Sequence, residues 1–279
     1  TGKGTGRTTQ GKWEDYVQFM KDQLGELLTN YGPIAGIWFD GYWDQLDNDN
    51  HDNPTPRVDW HFREIYDLIH KIQPACLVGN NHHITPLPGE DFQMFEKDLP
   101  GANTTGFGGA SISALPMETC ETINNSWGFN ITDTTYKSFK QLIDYLVKAS
   151  GFGANFLLNI GPMPNGKIQP EFVDRLHQMG EWLRINGASI YGTRGGYIRP
   201  QSWGCLTQKD DKIFVHVLDD GASNITLEQF PFKKISKAYL LKDKRNVNVS
   251  LKNGTAIITA PEFDAASEPD EVIVLEVKN

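Results

Sequence analysis

The sequence has few cysteines, no long apolar run and no excess of basic residues, and each absence excludes a class of protein. Its three cysteines, Cys76, Cys120 and Cys205, are too few and too far apart for a disulfide framework or a zinc site, so we expect buried thiols. No stretch approaches the roughly 20 apolar residues of a membrane span. The net charge of -9 argues against a nucleic-acid or anionic membrane surface.

Segments with strand and helix patterns alternate along the first two thirds of the chain. Apolar residues at spacings of three and four predict helices at about 11–30, 57–72, 138–148 and 172–186. Short apolar runs predict strands at 34–39, 76–79, 117–123 and 155–161, and we expect the first of these to be buried on both faces. This alternation predicts a parallel α/β sheet or barrel.

The pattern of apolar residues and turns changes after about residue 195. Six short strand-like runs follow, separated by turns such as Asp219-Asp-Gly221 and Lys252-Asn-Gly254. Such a pattern predicts a small antiparallel β-sandwich. We therefore expect an α/β chain with two domains, at residues 1–194 and 195–279.

A carboxylate, Asp40, closes the apolar run at 34–39 and precedes Gly41. A charge next to a core strand is costly to bury, so Asp40 should emerge at the strand end or have partners. In barrels of alternating strands and helices, the C-terminal strand ends are where chemistry takes place. The alternative is an ordinary aspartate that starts a turn before glycine.

Polar residues follow the second predicted strand as well, in the run Asn80-Asn-His-His83. In an extended chain His82 and His83 point to opposite sides, so they make a poor metal pair, but one of them could face a ligand.

The acidic segment 44–56 resembles a calcium loop through Asp47, Asp49 and His51. Its sixth and twelfth positions, Asp52 and Val58, do not fit that motif. We expect a loop that shapes substrate entry and no metal site.

Three acids at strand ends or in loops stand near aromatic residues: Asp40, Glu96 and Glu118. A retaining glycosidase needs two carboxyl groups about 5–5.5 Å apart, one as nucleophile and one as acid and then base. Asp40 is expected at a strand end and Glu96 on a loop. Alternatively, Glu96 is a solvated acid beside Lys97, with Glu118 and Glu121 as substitute acids.

Five motifs, taken in order, resemble those of the α-L-fucosidases of glycoside hydrolase family 29. The resemblance extends from about residue 8 to the end of the chain. The motifs are Ile37-Trp-Phe-Asp-Gly41, Asp91-Phe-x-x-x-Glu96, Glu118-Thr-Cys through Ser126-Trp-Gly128, Gly153-x-Asn-Phe-Leu-Leu-Asn-Ile-Gly-Pro162 and Gly180-Glu-Trp-Leu through Gly187-x-x-Ile-Tyr-Gly-Thr193.

The resemblance implies a retaining exo-α-L-fucosidase that acts on fucosylated glycans without a cofactor. It places the nucleophile at Asp40 and the acid/base at Glu96. It also implies that Trp38 and Trp127 line the fucose site and that Asn81 or His82 contacts the sugar. The residues themselves assign no compartment, whereas the resemblance implies a periplasmic, secreted or lysosomal protein.

The resemblance also has a gap, because family members carry several barrel strands before the nucleophile strand and nothing here matches them. The chain is therefore expected to form a partial (β/α)8-like barrel followed by the β-sandwich. We expect the missing N-terminal segment to belong to the same parent chain; a separate partner chain or a rearranged fold are the alternatives. A glycosidase of other specificity and a non-catalytic sugar-binding protein also remain open.

Overall fold

The computed structural model describes residues 11–46, 55–104 and 111–278. The chain divides into two compact units, residues 1–118 and 119–279. Each unit is described by itself. Strand β4, Met117–Thr122, crosses the division.

The first unit combines two helices with short strands. Its elements are helix α1 (Trp13–Asn30), strand β1 (Gly36–Phe39), a 3-10 turn (Tyr42–Gln45), helix α2 (Phe62–Ile72) and strands β2 (Leu77–Asn80) and β3 (Gln93–Glu96). Strands β1 and β2 pair in parallel, from Gly36 opposite Leu77 to Phe39 opposite Asn80, and α2 lies between them in the chain. These elements form a βαβ unit, which agrees with the predicted parallel pairing of strands that alternate with helices.

The core of the first unit lies on one face of β1. Ile37 and Phe39 pack with apolar residues of α1, α2 and β2, among them Leu24, Ile65 and Val78. Trp38 points away from this cluster and is 42% exposed. The prediction that β1 is buried on both faces is therefore wrong, because the apolar cluster covers only alternate residues of the strand.

One glycine in β2 is required by packing. A Cβ atom on Gly79 would lie 2.2 Å from the ring of Phe92, which is closer than side chains approach. The ring of Phe92 therefore packs directly against the β2 backbone and holds the segment that leads into β3.

The second unit contains helices α3 (Phe139–Phe152) and α4 (Pro170–Asn186), the 3-10 turn Gly187–Ser189 and strands β5 to β13. The strands are β5 (Ala154–Asn159), β6 (Arg194–Gly195), β7 (Gly204–Lys209), β8 (Lys212–Val217), β9 (Asn224–Leu227), β10 (Lys234–Leu240), β11 (Val249–Lys252), β12 (Thr255–Thr259) and β13 (Glu271–Lys278).

Two antiparallel sheets form the predicted β-sandwich. One sheet has the order β10-β13-β8-β7-β6 and the other β11-β12-β9. Alternate residues such as Val215, Ile225, Ile258 and Leu275 form the core between them. Strand β10 ends the larger sheet and contains a bulge between Ile235 and Lys237.

The other face of the larger sheet packs against the helices of this unit. Leu142 and Val147 of α3 and Trp182 of α4 share one apolar cluster with Phe214 and Val274. The predicted domain boundary near residue 194 thus falls inside this compact unit and stays a prediction.

The start of α3 has the strongest local signal in this unit. The hydroxyl of Ser138 accepts a hydrogen bond from the backbone N–H of Gln141, whose side chain accepts one from the Ser138 N–H. This reciprocal cap satisfies two donors that the first turn of a helix leaves free. At the other end, Gly153 adopts φ 80°, a left-handed conformation that suits glycine.

Three further expectations concern thiols, membranes and metals. All three cysteines are buried and free, as predicted. Within residues 11–46, 55–104 and 111–278, no helix is long and apolar enough to cross a membrane. The same residues contain no group of three or more His, Cys, Asp or Glu side chains that could hold a metal ion.

Candidate active site

Three polar side chains stand at the C-terminal ends of three strands in the first unit. Asp40 directly follows β1, Asn81 directly follows β2 and Glu96 is the last residue of β3. The backbone N–H of Asn81 donates to the carbonyl of Phe39 over 2.8 Å and so extends the pairing of β1 and β2. Our expectation that Glu96 lies on a loop is wrong, because the preceding residues Gln93, Met94 and Phe95 form a buried strand.

Asn81 links the two carboxylates through one amide nitrogen. Its Nδ2 donates to Asp40 Oδ1 over 3.2 Å and to Glu96 Oε2 over 2.7 Å. Because both distances share that nitrogen, these two carboxylate oxygens lie within about 5.9 Å of each other. Asn81 is 1% exposed, so its position is fixed by the surrounding protein.

The backbone turns sharply beside each of these groups. Gly41 has φ 87°, His83 φ 61° and Lys97 φ 55°, all in the left-handed region. For His83 and Lys97 this conformation costs about 1 kcal/mol or more each, since both carry a Cβ atom. The turns direct the chain away from the strand ends and leave the carboxylates there.

His83 is the fourth polar residue of the cluster. Its Nε2 lies 3.2 Å from Glu96 Oε2, and its side chain is 6% exposed. Its ring packs against Trp43 with 5.5 Å between ring centroids. From the sequence, His82 and His83 stayed alternatives for facing a ligand, and Trp43 was not assigned to the site. The positive φ that fixes His83 has no signal in the sequence.

The pKa values of the two carboxyl groups shift in opposite directions. Desolvation raises the pKa of Asp40, and the charge of Glu96 adds to this, against hydrogen bonds from Asn81 and Gly41. Asp40 is nevertheless solvent-exposed, so water limits this effect. For Glu96, burial raises the pKa, but the contacts with His83 and Asn81 outweigh it and the pKa is lowered.

His82 points into a sealed hydrogen-bond network instead of toward the carboxylates. Its Nε2 lies 2.8 Å from Glu90 Oε1, and its Nδ1 accepts from the Ile84 N–H. Glu90 Oε1 also accepts from the Tyr66 hydroxyl, which in turn accepts from Asn80. Both ring nitrogens of His82 are therefore engaged, which argues against His82 as the sugar contact and favours Asn81.

The predicted aromatic residues fall into different units. Trp38 is exposed on the face of β1 opposite the core. Trp127 lies in the second unit, where its carbonyl accepts a hydrogen bond from Asn159, so its place in a sugar site stays a prediction.

The substitute acids have surroundings of their own. Burial raises the pKa of Glu118. Glu121 accepts from the Thr122 N–H and lies 3.2 Å from Lys137 Nζ, which is a structural role in the second unit. The calcium-loop positions Asp47, Asp49, His51 and Asp52 lie outside the described residues.

Two carboxyl groups held this close together at strand ends are typical of retaining glycoside hydrolases. A sequence model of the α-L-fucosidase family matches residues 2–188, which is more than half of the chain. The chain belongs to the α-L-fucosidase family.

Individual relatives agree with this family. Plasma α-L-fucosidase of Rattus norvegicus is 37% identical over 210 residues, covering 70% of this chain and 41% of the relative. α-L-Fucosidase of Dictyostelium discoideum is 29% identical over 245 residues, covering 84% of this chain and 49% of the relative. The chain thus spans about half the length of the curated relatives that it matches.

A solved structure extends the match to almost the whole chain. α-L-Fucosidase isoenzyme 1 of Paenibacillus thiaminolyticus superposes with a TM-score of 0.74 at 30% identity. The match covers 98% of this chain and 65% of that chain. The expected likeness to family 29 is confirmed by these comparisons.

Proposed function

We propose that this chain is part of a retaining exo-α-L-fucosidase in which Asp40 is the nucleophile and Glu96 the acid/base. One observation carries the proposal: the amide of Asn81 holds the two carboxylates within about 5.9 Å at their nearest bonded oxygens. Retaining enzymes need about 5–5.5 Å between carboxyl groups, whereas inverting enzymes leave about 6.5–9.5 Å for a water molecule.

The reaction follows from this geometry in two displacements. A carboxylate oxygen of Asp40 forms a bond to the anomeric carbon while the bond to the leaving oxygen breaks and Glu96 gives that oxygen its proton. A water molecule then attacks the anomeric carbon, Glu96 takes the water proton, and the ester bond to Asp40 breaks. Fucose leaves with its original anomeric configuration.

Two aromatic residues and Asn81 are proposed to contact the sugar. The exposed ring of Trp38 offers a flat apolar surface beside Asp40, which suits the apolar face and methyl group of fucose. Trp127 has the same role in the proposal. Nδ2 of Asn81 already donates to both carboxylates, so Asn81 is proposed to hold the acids in place as well as to border the sugar.

The proposed mechanism requires particular protonation states of the two carboxyl groups. The first step needs Asp40 ionised and Glu96 protonated, whereas within the described residues the pKa of Asp40 is raised and that of Glu96 lowered. The complete site must therefore supply further hydrogen-bond donors to Asp40. The acid limb of kcat/KM in the full protein, which reports the nucleophile, tests this requirement.

We propose further that β1, β2 and β3 belong to a (β/α)8-like barrel whose other strands precede residue 1 in the same parent chain. The parallel pairing of β1 and β2, the polar groups at the strand C-termini and the partial coverage of the relatives support this. In the same proposal the catalytic domain extends to residue 194 and the β-sandwich spans residues 195–279.

Hydrolysis of an aryl α-L-fucoside by the full parent protein and by this 279-residue chain tests the function. We expect turnover by the parent, with the α-anomer of fucose as the first product in NMR. First release of the β-anomer would contradict the retaining mechanism. Binding of fucose by a folded parent without any turnover would favour a sugar-binding protein, and turnover of other aryl glycosides in preference would assign a different specificity.

A further inference from the structure

We propose that His83 is a positioning residue of the acid/base, which fixes Glu96 Oε2 and leaves Oε1 as the oxygen that exchanges the proton. This inference rests on the proposed function of Glu96. It assigns a role to a histidine that neither the motifs nor the carboxylate pair required.

The two carboxylate oxygens of Glu96 have different contacts. Asn81 Nδ2 and His83 Nε2 both contact Oε2, over 2.7 and 3.2 Å. Within the part of the chain that the structure describes, no donor contacts Oε1. Oε2 accepts a hydrogen bond from Asn81 and faces His83, whose Nε2 is within ion-pair distance but outside hydrogen-bond geometry. A proton on the carboxyl group is therefore favoured on Oε1.

The protein holds His83 in place at an energetic cost. Its backbone has φ 61°, which is uncommon for residues other than glycine, although asparagine, aspartate and histidine tolerate it best. Its neighbour His82 has its ring in the sealed network with Glu90. Anchoring of His82 and the left-handed turn at His83 together aim the second imidazole at Glu96. Strained residues of this kind are concentrated at functional sites.

Nearby charged groups affect the ionisation of Glu96. The charged groups that face it among the described residues are Asp40, His83 and Lys97. A donor or cation at His83 favours the ionised carboxylate, so it stabilises the carboxylate that Glu96 becomes when it gives up its proton in the first displacement. A purely structural histidine would not alter this ionisation.

The experiment uses the full parent protein and three variants. His83→Asn tolerates the left-handed backbone but is too short to reach Glu96, whereas His83→Gln keeps a donor near the position of Nε2. His70→Asn is the matched control, because His70 forms a similar pair with Asp91, 2.9 Å away, in the same unit. Circular dichroism checks that each variant is folded.

Loss of the His83 contact should raise the pKa of Glu96. In His83→Asn the basic limb of kcat/KM, which reports the acid, should move to higher pH by about half a unit or more. His83→Gln should shift it less, and His70→Asn should leave it in place. An unchanged basic limb in a folded, active His83→Asn protein would overturn the inference.

A second readout does not depend on activity. The carboxyl carbon of Glu96, assigned with Glu96→Gln, is titrated by ¹³C NMR in the unliganded wild type and in His83→Asn. A raised Glu96 pKa in the variant together with an inactive parent would refute the proposed function and leave only the contact between His83 and Glu96 established. Equal titration curves would refute the inference whatever the activity.

If His83→Asn does not fold, the same contact is tested from the other side. The ¹⁵N resonance of His83 Nε2 should shift in Glu96→Gln and stay in place in Glu64→Gln, an exposed glutamate of the same unit. An unmoved resonance in Glu96→Gln would overturn the inference.

Discussion

Both units of this protein contain histidine–carboxylate pairs, and one pair from each unit shows how different their surroundings can be. In the second unit His216 Nδ1 lies 2.6 Å from Asp270 Oδ2, and Thr207 Oγ1 lies 3.1 Å from His216 Nε2. Both members of this pair have fully buried side chains. In the first unit, the pair of His83 and Glu96 borders a second carboxylate, Asp40, that is exposed.

A contact between a histidine and a carboxylate therefore does not by itself identify an active site. The sealed pair continues through Thr207 to the carbonyl of Ser189, so it joins β7 and β8 to the end of α4 inside the second unit. No substrate can reach it. The open cluster has two carboxylates that share one amide donor, and an exposed member at the strand ends. Disruption of the pair of His83 and Glu96 should therefore change activity, whereas disruption of the pair of His216 and Asp270 should change stability.

The largest effect is expected from Asp40→Ala in the full parent protein. Loss of the proposed nucleophile should lower kcat for an aryl α-L-fucoside by at least about 10³-fold, which corresponds to about 4 kcal/mol. Asp22→Asn, on the exposed surface of α1, is the control and should stay near wild type. Comparable rates for wild type and Asp40→Ala would remove Asp40 from the mechanism.

The sealed pair should respond in stability. Asp270→Ala leaves His216 buried beside an empty space and should cost about 3–5 kcal/mol of unfolding free energy, measured by urea denaturation. Asp211→Asn breaks a surface pair with Lys212 and should cost about 1 kcal/mol or less. If both variants lost equal stability, burial would not be the deciding difference between the pairs.

Glu96→Ala should act on leaving groups unequally. Aryl fucosides with poor leaving groups need proton donation, so their kcat/KM should fall about 10²-fold or more, while activated substrates should fall less. Glu118→Gln is the comparison, because burial raises the pKa of Glu118 and would suit an acid. An equal loss on both substrate classes would count against Glu96, and a selective loss in Glu118→Gln would move the acid role there.

The smallest effects are expected in the pH dependence of stability. The pKa of Glu96 is lowered in the fold, so its contribution exists above the unfolded value of 4.5 and is lost as the pH falls through the folded value. The pKa of Asp40 is raised, so its contribution exists below the unfolded value of 3.8 and is lost as the pH rises through the folded value.

At neutral pH, Glu96→Gln should therefore destabilise the chain and Asp40→Asn should stabilise it slightly, by less than about 1 kcal/mol since Asp40 is exposed. Below pH 3 both differences should shrink. Thermal unfolding at pH 7 and at low pH measures them, and a destabilised Asp40→Asn protein at pH 7 would show that the charge on Asp40 has stronger partners than the described residues supply.

Much of the fold follows from local sequence signals. The apolar spacing of Val17, Leu24 and Leu28 predicts α1, and the alternation in 255–259 predicts β12 with its bounds. Strands β3, β6 and β7 were not predicted. β7 reads Gly204-Cys-Leu-Thr-Gln-Lys209, where only two residues are apolar by type, and Thr207 is buried because His216 and Ser189 supply partners from elsewhere in the chain.

The candidate site was predictable in its types of residue and not in its contacts. The position after an apolar strand identified Asp40, whereas the family resemblance identified Glu96 and left Asn81 and His82 as alternatives. Nothing local distinguishes His82 from His83, because their roles depend on Glu90 and Glu96, which are 8 and 13 positions away from them. The histidine that faces Glu96 can therefore be identified only when the folded chain brings the three strand ends together.

The bulge in β10 has a consequence for how copies of this protein behave at high concentration. β10 ends the five-stranded sheet, and its first half, before the pairing of residues 238–240 with 245–247, offers unpaired backbone groups to strands of other molecules. The register shift between Ile235 and Lys237 interrupts the regular spacing of those groups, and Lys234 and Lys237 add positive charge along them. The open half of this edge thereby resists edge-to-edge aggregation, while residues 245–247 cover the other half.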